Sequence, residues 1–177
     1  MSDVLHKENN VDLDKSNMQG AIMSFPDQIV ESFEIMKNWS PSREYVGIEK
    51  IMILGMGGSA ISGDVARVIA QNHCSVPIIV NRSYTIPQWV DSKTLILASS
   101  YSGNTEETLS AFSMCQERDC PILVFSSGGT LTKNAKDMRL DRVAIPKGYQ
   151  PRAALGYSLT LILLALEHLN FIPNIVS

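Results

Sequence analysis

Residues 94–107 read TLILASSYSGNTEE, and this stretch decides the fold. Thr94 to Ala98 form a short apolar run that is typical of a buried strand. Serines, a glycine and a threonine follow this run, and a segment of helical character begins near Glu106. A buried strand that passes through a short turn into a helix is the repeating unit of a parallel α/β sheet.

The turn at residues 99–105 has the composition of an anion site. Serine and threonine hydroxyls and one glycine stand where a strand passes into a helix, so side-chain oxygens and free backbone N–H groups converge there. A phosphomonoester fits such a point without a lysine, because each hydrogen bond to a charged acceptor contributes about 1.5 to 3 kcal/mol. The alternative is an ordinary helix N-cap, since Ser, Asn and Thr are the residues that helix starts prefer.

A second glycine-rich turn, residues 55–64, also follows an apolar run and precedes a helical pattern. Its glycines permit positive φ and let a ligand approach the backbone. The pattern Gly55-x-Gly57-x-x-Ala60 satisfies the dinucleotide fingerprint, which expects an acidic residue at the end of the next strand. That strand is followed by Asn81-Arg82-Ser83 instead, so NAD is disfavoured, although Arg82 leaves an opening for a 2′-phosphate. The sequence has no Gly-Lys-Ser or Gly-Lys-Thr run of a P-loop.

Further apolar runs alternate with helical patterns along the chain. They predict four more strands, at residues 50–54, 76–80, 121–125 and 142–145. Near-continuous apolar strands separated by helices indicate a parallel sheet that is covered on both faces. The predicted fold class is α/β, a doubly wound α/β/α sandwich with a five-stranded parallel sheet. Ligands of such sheets bind at the carboxyl ends of the strands, so the two turns face one pocket if their strands are neighbours.

Three helical segments carry apolar patterns. The first is predicted over residues 24–38, with a stripe that we expect to face the core: Ile22, Phe25, Ile29, Phe33 and Met36. The second has one apolar face, formed by Ile61, Val65, Val68 and Ile69. The third, residues 159–169, is apolar all round but too short to cross a membrane, which needs about 20 residues. The apolar part of its perimeter is wider than packing against one sheet face requires, which predicts burial against another domain or subunit.

Length and composition favour one cytoplasmic domain. For a chain of 177 residues we expect a flexible tail over residues 1–18 and a single domain over residues 19–177. The net charge of −3 and the lack of a Lys/Arg cluster disfavour nucleic-acid binding. The N-terminus shows no secretory signal pattern. Cys74, Cys115 and Cys120 are odd in number and contain no C-x-x-C, so we expect reduced thiols and no zinc site.

Three motifs together resemble those of the bifunctional phosphoglucose/phosphomannose isomerases of the sugar isomerase (SIS) superfamily. They are Gly55-Met56-Gly57-Gly58-Ser59-Ala60, the run from Ser100 to Thr108, and Pro151-Arg152-Ala153-Ala154-Leu155-Gly156-Tyr157. The resemblance implies a flavodoxin-like SIS domain that binds a phosphosugar. Family members carry two such domains in a chain roughly twice as long and form homodimers. It therefore implies a homodimer, or pairing with a second SIS domain that this chain lacks.

The resemblance also implies six substrate-binding residues: Gly58, Ser59, Ser100, Ser102, Thr105 and Arg152. The last three hydroxyls in this set would hold the phosphate, the first two residues would line the sugar, and the guanidinium would stabilise an enediolate. Glucose 6-phosphate and mannose 6-phosphate differ only at C2, so both give the enediol that fructose 6-phosphate also gives. The route requires no metal and no cofactor, and the sequence shows no ligand cluster for one.

The resemblance places the family's catalytic glutamate and ring-opening histidine in the second half of the longer chains, so it implies no catalytic base here. We expect Glu106 and Glu107 to serve the helix dipole, and Glu167 and His168 to serve helix structure. The chain alone is expected to bind sugar phosphates with little or no turnover. Two alternatives stay open: a stand-alone isomerase similar to the hexulose-phosphate isomerases, and a non-catalytic module that senses a phosphosugar.

Overall fold

The computed structural model describes residues 14–174. The strands are β1 Lys50–Leu54, β2 Ile78–Asn81, β3 Thr94–Ser99, β4 Ile122–Ser126 and β5 Asp141–Ala144. The helices are α1 Met18–Met23, α2 Phe25–Lys37, α3 Gly57–Ala70, α4 Glu106–Glu117, α5 Gly129–Asp137 and α6 Leu155–His168. A 3₁₀ turn, Pro151–Ala154, precedes α6.

The five strands form one parallel sheet in the order β2-β1-β3-β4-β5. This order and the helices on both faces confirm the predicted doubly wound α/β sandwich. The strand order reverses between β1 and β3, which are direct neighbours, with Leu54 opposite Ala98 at their carboxyl ends. The two turns singled out in the sequence therefore leave the same edge of the sheet, side by side, at the switch point.

Alternate residues of each central strand enter two separate cores, one on each face of the sheet. On β3, Leu95 and Leu97 join the core beneath α2 and α6, whereas Ile96 and Ala98 join the core that contains α4 and α5 residues. These four side chains are fully buried. A strand with both faces covered requires the near-continuous apolar run that the sequence shows.

The predicted core stripe of the first helix is wrong in part. Helix α2 buries Gln28, Ser32 and Met36, whereas Ile22 lies in α1 and is 57% exposed. The reason is a close helix approach: a Cβ at Gly156 of α6 would lie 2.8 Å from the Gln28 Oε1 atom. The polar side chain of Gln28 is tolerated there because its Nε2 atom donates to the Ala153 carbonyl at 2.7 Å.

The inference of an interface on the apolar segment at residues 159–169 is also wrong. Helix α6 packs against α2, α3 and β4, and every side chain from Leu161 to Leu166 is at most 4% exposed. Its apolar perimeter is thus covered by the same domain. The unusual width of the apolar face arises because α6 lies between the sheet and two other helices.

Helix α3 turns its large apolar side chains outward. Ile61, Val65, Val68 and Ile69 are 38 to 52% exposed, while the inner face consists of small residues such as Ala66 and Gly63. A Cβ at Gly63 would lie 2.9 Å from the Ile53 side chain, so the inner face has no room for larger groups. The four large apolar residues therefore lie on one face of α3, as predicted, but this face does not contribute to the core.

The start of the described chain is tied to α1. The Asp14 carboxylate accepts hydrogen bonds from the backbone N–H groups of Met18 at 2.6 Å and Gln19 at 2.8 Å. Of the predicted tail, residues 1–13 lie outside the described residues. Between residues 14 and 174, no helix has the length and apolar character needed to cross a membrane.

Candidate functional site

The turn between β3 and α4, residues 100–105, is called the serine loop below. The Ser100 Oγ atom lies 3.0 Å from the Thr105 Oγ1 atom and accepts a hydrogen bond from the Gly103 N–H at 3.1 Å. The Ser102 Oγ atom accepts one from the Asn104 N–H at 3.2 Å. Ser100 is buried and Ser102 is exposed. The loop thus turns tightly around its own hydroxyls, with one of them at the surface.

The two helices that follow β1 and β3 begin at the switch point without a side-chain cap. Thr105 occupies the N-cap position of α4 and Met56 that of α3, and neither side chain makes a capping hydrogen bond. The sequence-based alternative, an ordinary hydroxyl cap for α4, is therefore not what the loop forms. Uncapped N–H groups and the positive ends of two helix dipoles meet at the switch point, where they favour an anion.

The glycine-rich turn after β1, which contains Gly58, lies against the 3₁₀ turn that carries Arg152. A Cβ at Gly58 would lie 3.0 Å from the Pro151 carbonyl oxygen and 3.5 Å from the Arg152 Cα atom, so a side chain at this position would crowd the Arg152 turn. A cavity of about 390 Å³ opens here, and its walls are formed by Met18, Met56, Gly57, Gly58, Gln150, Pro151 and Arg152. This volume lies within the usual range for small-molecule sites.

The six residues implied by the resemblance fall into two groups in the structure. Gly58 and Arg152 share the cavity wall, whereas the hydroxyls of Ser100, Ser102 and Thr105 belong to the neighbouring serine loop and do not line that cavity. Ser59 is only 7% exposed, in the first turn of α3. The turns after β1 and β3 leave adjacent strands, and the Arg152 turn lies against the first of them, so both groups share one edge of the sheet without forming one closed pocket.

The turn between β4 and α5 supports the serine loop from the other side. The Asn104 Oδ1 atom accepts hydrogen bonds from the Thr130 N–H at 2.9 Å and the Thr130 hydroxyl at 3.1 Å. The Leu131 N–H donates to the Gly103 carbonyl at 2.9 Å. The sequence shows this turn only as a further serine and glycine pair, with no sign that it braces its neighbour.

Sequence reasoning missed several residues at this edge. Met18, Met56 and Gln150 line the cavity, and the side chain of Lys147 reaches toward Gly128, where a Cβ would lie 3.9 Å from the Lys147 Nζ atom. The signals were weak: a methionine in an expected tail and a lysine after a strand are ordinary surface residues. Only the tertiary fold brings them to the carboxyl edge.

Acidic groups also stand near the serine loop. Glu106 and Glu107 open α4, and the Glu107 carboxylate raises the pKa of the exposed Tyr84 hydroxyl above its usual value. This location in the first turn is the one that favours acidic side chains in a helix. Among residues 14–174, no group of three or more His, Cys, Asp or Glu side chains could hold a metal ion.

The histidine and glutamate at the end of α6 lie far from the serine loop. Helix α6 begins beside the Arg152 turn and runs for 14 residues, which at 1.5 Å per residue separates His168 from that turn by about 20 Å. The His168 Nδ1 atom lies 2.9 Å from the Leu164 carbonyl oxygen of the preceding turn. Neither this residue nor Glu167 contributes to the cavity wall.

The overall architecture is similar to that of solved phosphosugar isomerases. The tagatose-6-phosphate ketose/aldose isomerase of Escherichia coli superposes with a TM-score of 0.69 at 17% identity, over 90% of this chain and 48% of that chain. The Vibrio vulnificus NanR protein complexed with ManNAc-6P gives a TM-score of 0.57 at 18% identity, over 90% and 64%. At such low identities these likenesses show the fold.

The sequence comparison confirms the resemblance to bifunctional phosphoglucose/phosphomannose isomerases. The protein of that name from Caldicellulosiruptor bescii is 45% identical over 155 residues, which are 88% of this chain and 46% of the relative. The chain thus spans about half the length of the curated relatives it matches. No family model matches the sequence.

Proposed function

We propose that this chain is a sugar-phosphate-binding SIS domain of an aldose–ketose isomerase. The substrates would be glucose 6-phosphate or mannose 6-phosphate, each interconverted with fructose 6-phosphate. The observation that carries the proposal is the meeting of two uncapped helix N-termini, those of α3 and α4, at the switch point of the sheet. The sequence relatives that bear the name of such an isomerase support it.

The phosphate is assigned to the serine loop and the first turn of α4. Ser102 presents an exposed hydroxyl, and Ser100 and Thr105 already form a hydrogen-bonded pair that a phosphate oxygen can join. Three or four such hydrogen bonds, at about 1.5 to 3 kcal/mol each, supply the roughly 4 to 8 kcal/mol that binding in the millimolar to micromolar range requires. No lysine is required for this affinity.

The sugar is assigned to the cavity between the glycine-rich turn after β1 and the Arg152 turn. Gly58 lets the Arg152 turn pack closely against the start of α3, and Ser59 lies in the same first turn of that helix. The Arg152 guanidinium would stabilise the negative charge that forms on the sugar oxygens when a base removes the C2 proton of the aldose. The resulting enediolate takes the proton back at C1 to give the ketose. We propose that the base is supplied from outside this chain, by a second SIS domain.

A direct binding test uses the purified chain with fructose 6-phosphate. At a hundredfold excess over its dissociation constant, a ligand that binds only the folded state adds about 2.7 kcal/mol to the free energy of unfolding. The Ser102→Ala/Thr105→Ala double variant should lose this gain, and Ser113→Ala, an exposed serine of α4, should keep it. Absence of any gain in the unaltered chain, or an equal gain in the double variant, would overturn the phosphate assignment.

A coupled dehydrogenase assay on the same samples measures formation of glucose 6-phosphate. Binding with no measurable turnover is the expected result, because the proposed base lies outside this chain. Turnover by the chain alone would contradict the assignment of the base to a second domain. It would favour the stand-alone isomerase.

We also propose that the chain pairs with a second SIS domain or a second copy in the cytoplasm. The outward apolar face of α3, formed by Ile61, Val65, Val68 and Ile69, supports this pairing, since large apolar groups are rarely exposed together without a partner. Sedimentation velocity should show a dimer that Val65→Asp dissociates and that Val30→Asp, an exposed valine of α2, leaves intact. A chain that is monomeric at every concentration would contradict self-association.

A further inference from the structure

Tyr101 lies in the middle of the serine loop, but its side chain does not join the neighbouring hydroxyls. It is only 8% exposed and packs into the core beneath α6 together with Tyr157 and Phe125. The serines on either side of it in the sequence belong to the proposed phosphate site. Tyr101 therefore connects that site to the core beneath α6.

The Tyr101 hydroxyl forms two hydrogen bonds with one neighbouring segment. It donates to the Pro146 carbonyl oxygen at 3.1 Å and accepts from the Tyr149 N–H at 2.8 Å. Its own backbone carbonyl accepts from the Ser127 N–H at 3.0 Å and the Ser127 hydroxyl at 2.7 Å. One residue thus joins the serine loop to the turns that follow both β4 and β5.

The segment that the hydroxyl holds leads directly to the proposed sugar site. Only Gln150 and Pro151 separate Tyr149 from Arg152, and both line the cavity with Arg152. On the far side, the Ala153 carbonyl accepts a hydrogen bond from the Gln28 Nε2 atom at 2.7 Å. Hydrogen bonds therefore hold the chain on both sides of Arg152. The one before it is made by the Tyr101 hydroxyl, which belongs to the serine loop.

We propose that Tyr101 is a positioning residue, whose hydroxyl sets the place of Arg152 relative to the bound phosphate. The inference rests on the proposed function, since it requires that a sugar phosphate spans the serine loop and the Arg152 turn. Because the aromatic ring supplies the packing and the hydroxyl supplies both hydrogen bonds, Tyr101→Phe removes the connection and retains the ring.

The test compares two probes, fructose 6-phosphate and inorganic phosphate, by calorimetric titration of four proteins. These are the unaltered chain, Tyr101→Phe, Arg152→Met and the variant with both changes. Tyr101→Phe should weaken fructose 6-phosphate binding about five- to tenfold and change phosphate binding less than about twofold, because only the sugar reaches Arg152. The double variant should bind no more weakly than Arg152→Met alone, since the two residues act through one contact.

The matched control is Tyr149→Phe, which removes another tyrosine hydroxyl from the same segment. That hydroxyl lies 3.5 Å from the Tyr157 hydroxyl and, within residues 14–174, forms no hydrogen bond with the Arg152 turn, so both affinities should stay unchanged. If Tyr101→Phe fails to fold, replacing the Tyr149 amide by an ester removes the N–H group that donates to the Tyr101 hydroxyl, while every side chain stays in place. The same loss of fructose 6-phosphate affinity is expected.

Three results would overturn the inference while leaving the proposed function intact. They are unchanged fructose 6-phosphate binding by Tyr101→Phe, an equal loss for both probes, and additive losses in the double variant. If the unaltered chain binds neither probe, the proposed function itself fails, and with it the inference.

Discussion

A Cβ atom at Gly103 would lie 1.9 Å from the carbonyl oxygen of Gly128. The serine loop and the turn after β4 are therefore in direct backbone contact, with no side chain between them. Gly103 also has a φ of 70°, in the left-handed region that disfavours residues with a Cβ. The loop that we assign to the phosphate is thus built against its neighbour as one unit.

Gly103→Ala should destabilise the protein more than the same change at Gly47. Both glycines have a φ of 70°, but a Cβ at Gly47 meets nothing within 4 Å. The left-handed backbone alone costs about 1 to 2 kcal/mol, and the clash adds about 1 to 3 kcal/mol at Gly103. Urea unfolding of the two variants measures the difference. Equal losses of stability would show that the serine loop and the turn after β4 separate easily.

Replacement of Gln28 by leucine should destabilise the junction between α1, α2 and the Arg152 turn. The buried Gln28 Nε2 atom donates to the carbonyls of Ala153 at 2.7 Å and Ala21 at 3.1 Å, and leucine leaves both without this donor. The expected loss is about 1 to 3 kcal/mol. Gln71→Leu, an exposed residue at the end of α3, is the control and should change stability far less. A larger loss in the control would refute the role of the amide.

The hydroxyl of Tyr45 should stabilise the fold in a pH-dependent way. It donates to the Asp141 Oδ2 atom at 2.8 Å, and burial together with this carboxylate raises the pKa of Tyr45. The folded state therefore keeps the proton after the unfolded chain has lost it, so the contribution is complete below about pH 10 and declines above it.

The stability difference between the unaltered protein and Tyr45→Phe measures this contribution. It should be about 1.5 to 3 kcal/mol at neutral pH and should shrink as the pH rises above about 10. Denaturant unfolding at a series of pH values provides the comparison. Tyr84→Phe, at an exposed position, serves as the control with a small effect. A stability difference that stays constant to alkaline pH would refute the conclusion that Tyr45 keeps its proton in the folded state.

The three cysteines should differ widely in reactivity toward iodoacetamide. Cys74 is partly exposed, whereas Cys115 and Cys120 are buried. The hydrogen bond with Cys120, and burial, raise the pKa of the Cys115 thiol, so little reactive thiolate forms there. Peptide mapping of the folded protein should show modification of Cys74 first, and Cys74→Ser should abolish the rapid phase. Modification of Cys115 at the rate of Cys74 would contradict the buried arrangement.

The sheet could be predicted because each central strand is buried on both faces and so carries its signal in a few consecutive residues. The turn after β3 could be placed for the same reason, since the strand before it fixes the edge to which it belongs. The sequence could not predict which face of each helix is buried. Gln28 is buried although it lies outside the predicted core stripe of α2, and Ile61 of α3 is exposed, because both helices approach their neighbours too closely for large side chains.

The supporting residues of the site escaped prediction for a different reason. Tyr101 resembles one more hydroxyl of the serine loop in the sequence, and only the packed structure shows that its side chain bonds to Pro146 and Tyr149. Such a contact joins residues 45 or more positions apart, which no local pattern records. The residues of the loop are thus visible in the sequence, while the residues that hold the loop in place are not.

Lys147 provides a cation at the same edge, although the proposed phosphate site does not require one. A Cβ at Gly128 would lie 3.9 Å from the Lys147 Nζ atom, so the ammonium stands beside the turn that braces the serine loop. Because the side chain is exposed, its attraction for phosphate is weak and screened by salt. Lys147→Met should weaken phosphate binding about two- to fivefold at low salt, and the difference should vanish at high salt.

Lys93→Met is the matched control because it removes the same charge at the opposite edge of the sheet. Lys93 precedes β3 and pairs with Glu49 at 2.5 Å, far from the carboxyl ends of the strands. Calorimetric titration with inorganic phosphate at two salt concentrations separates a local effect from one of net charge. Equal weakening by both variants would mean that only net charge matters, whereas an effect of Lys147→Met that persists at high salt would indicate direct contact with the phosphate.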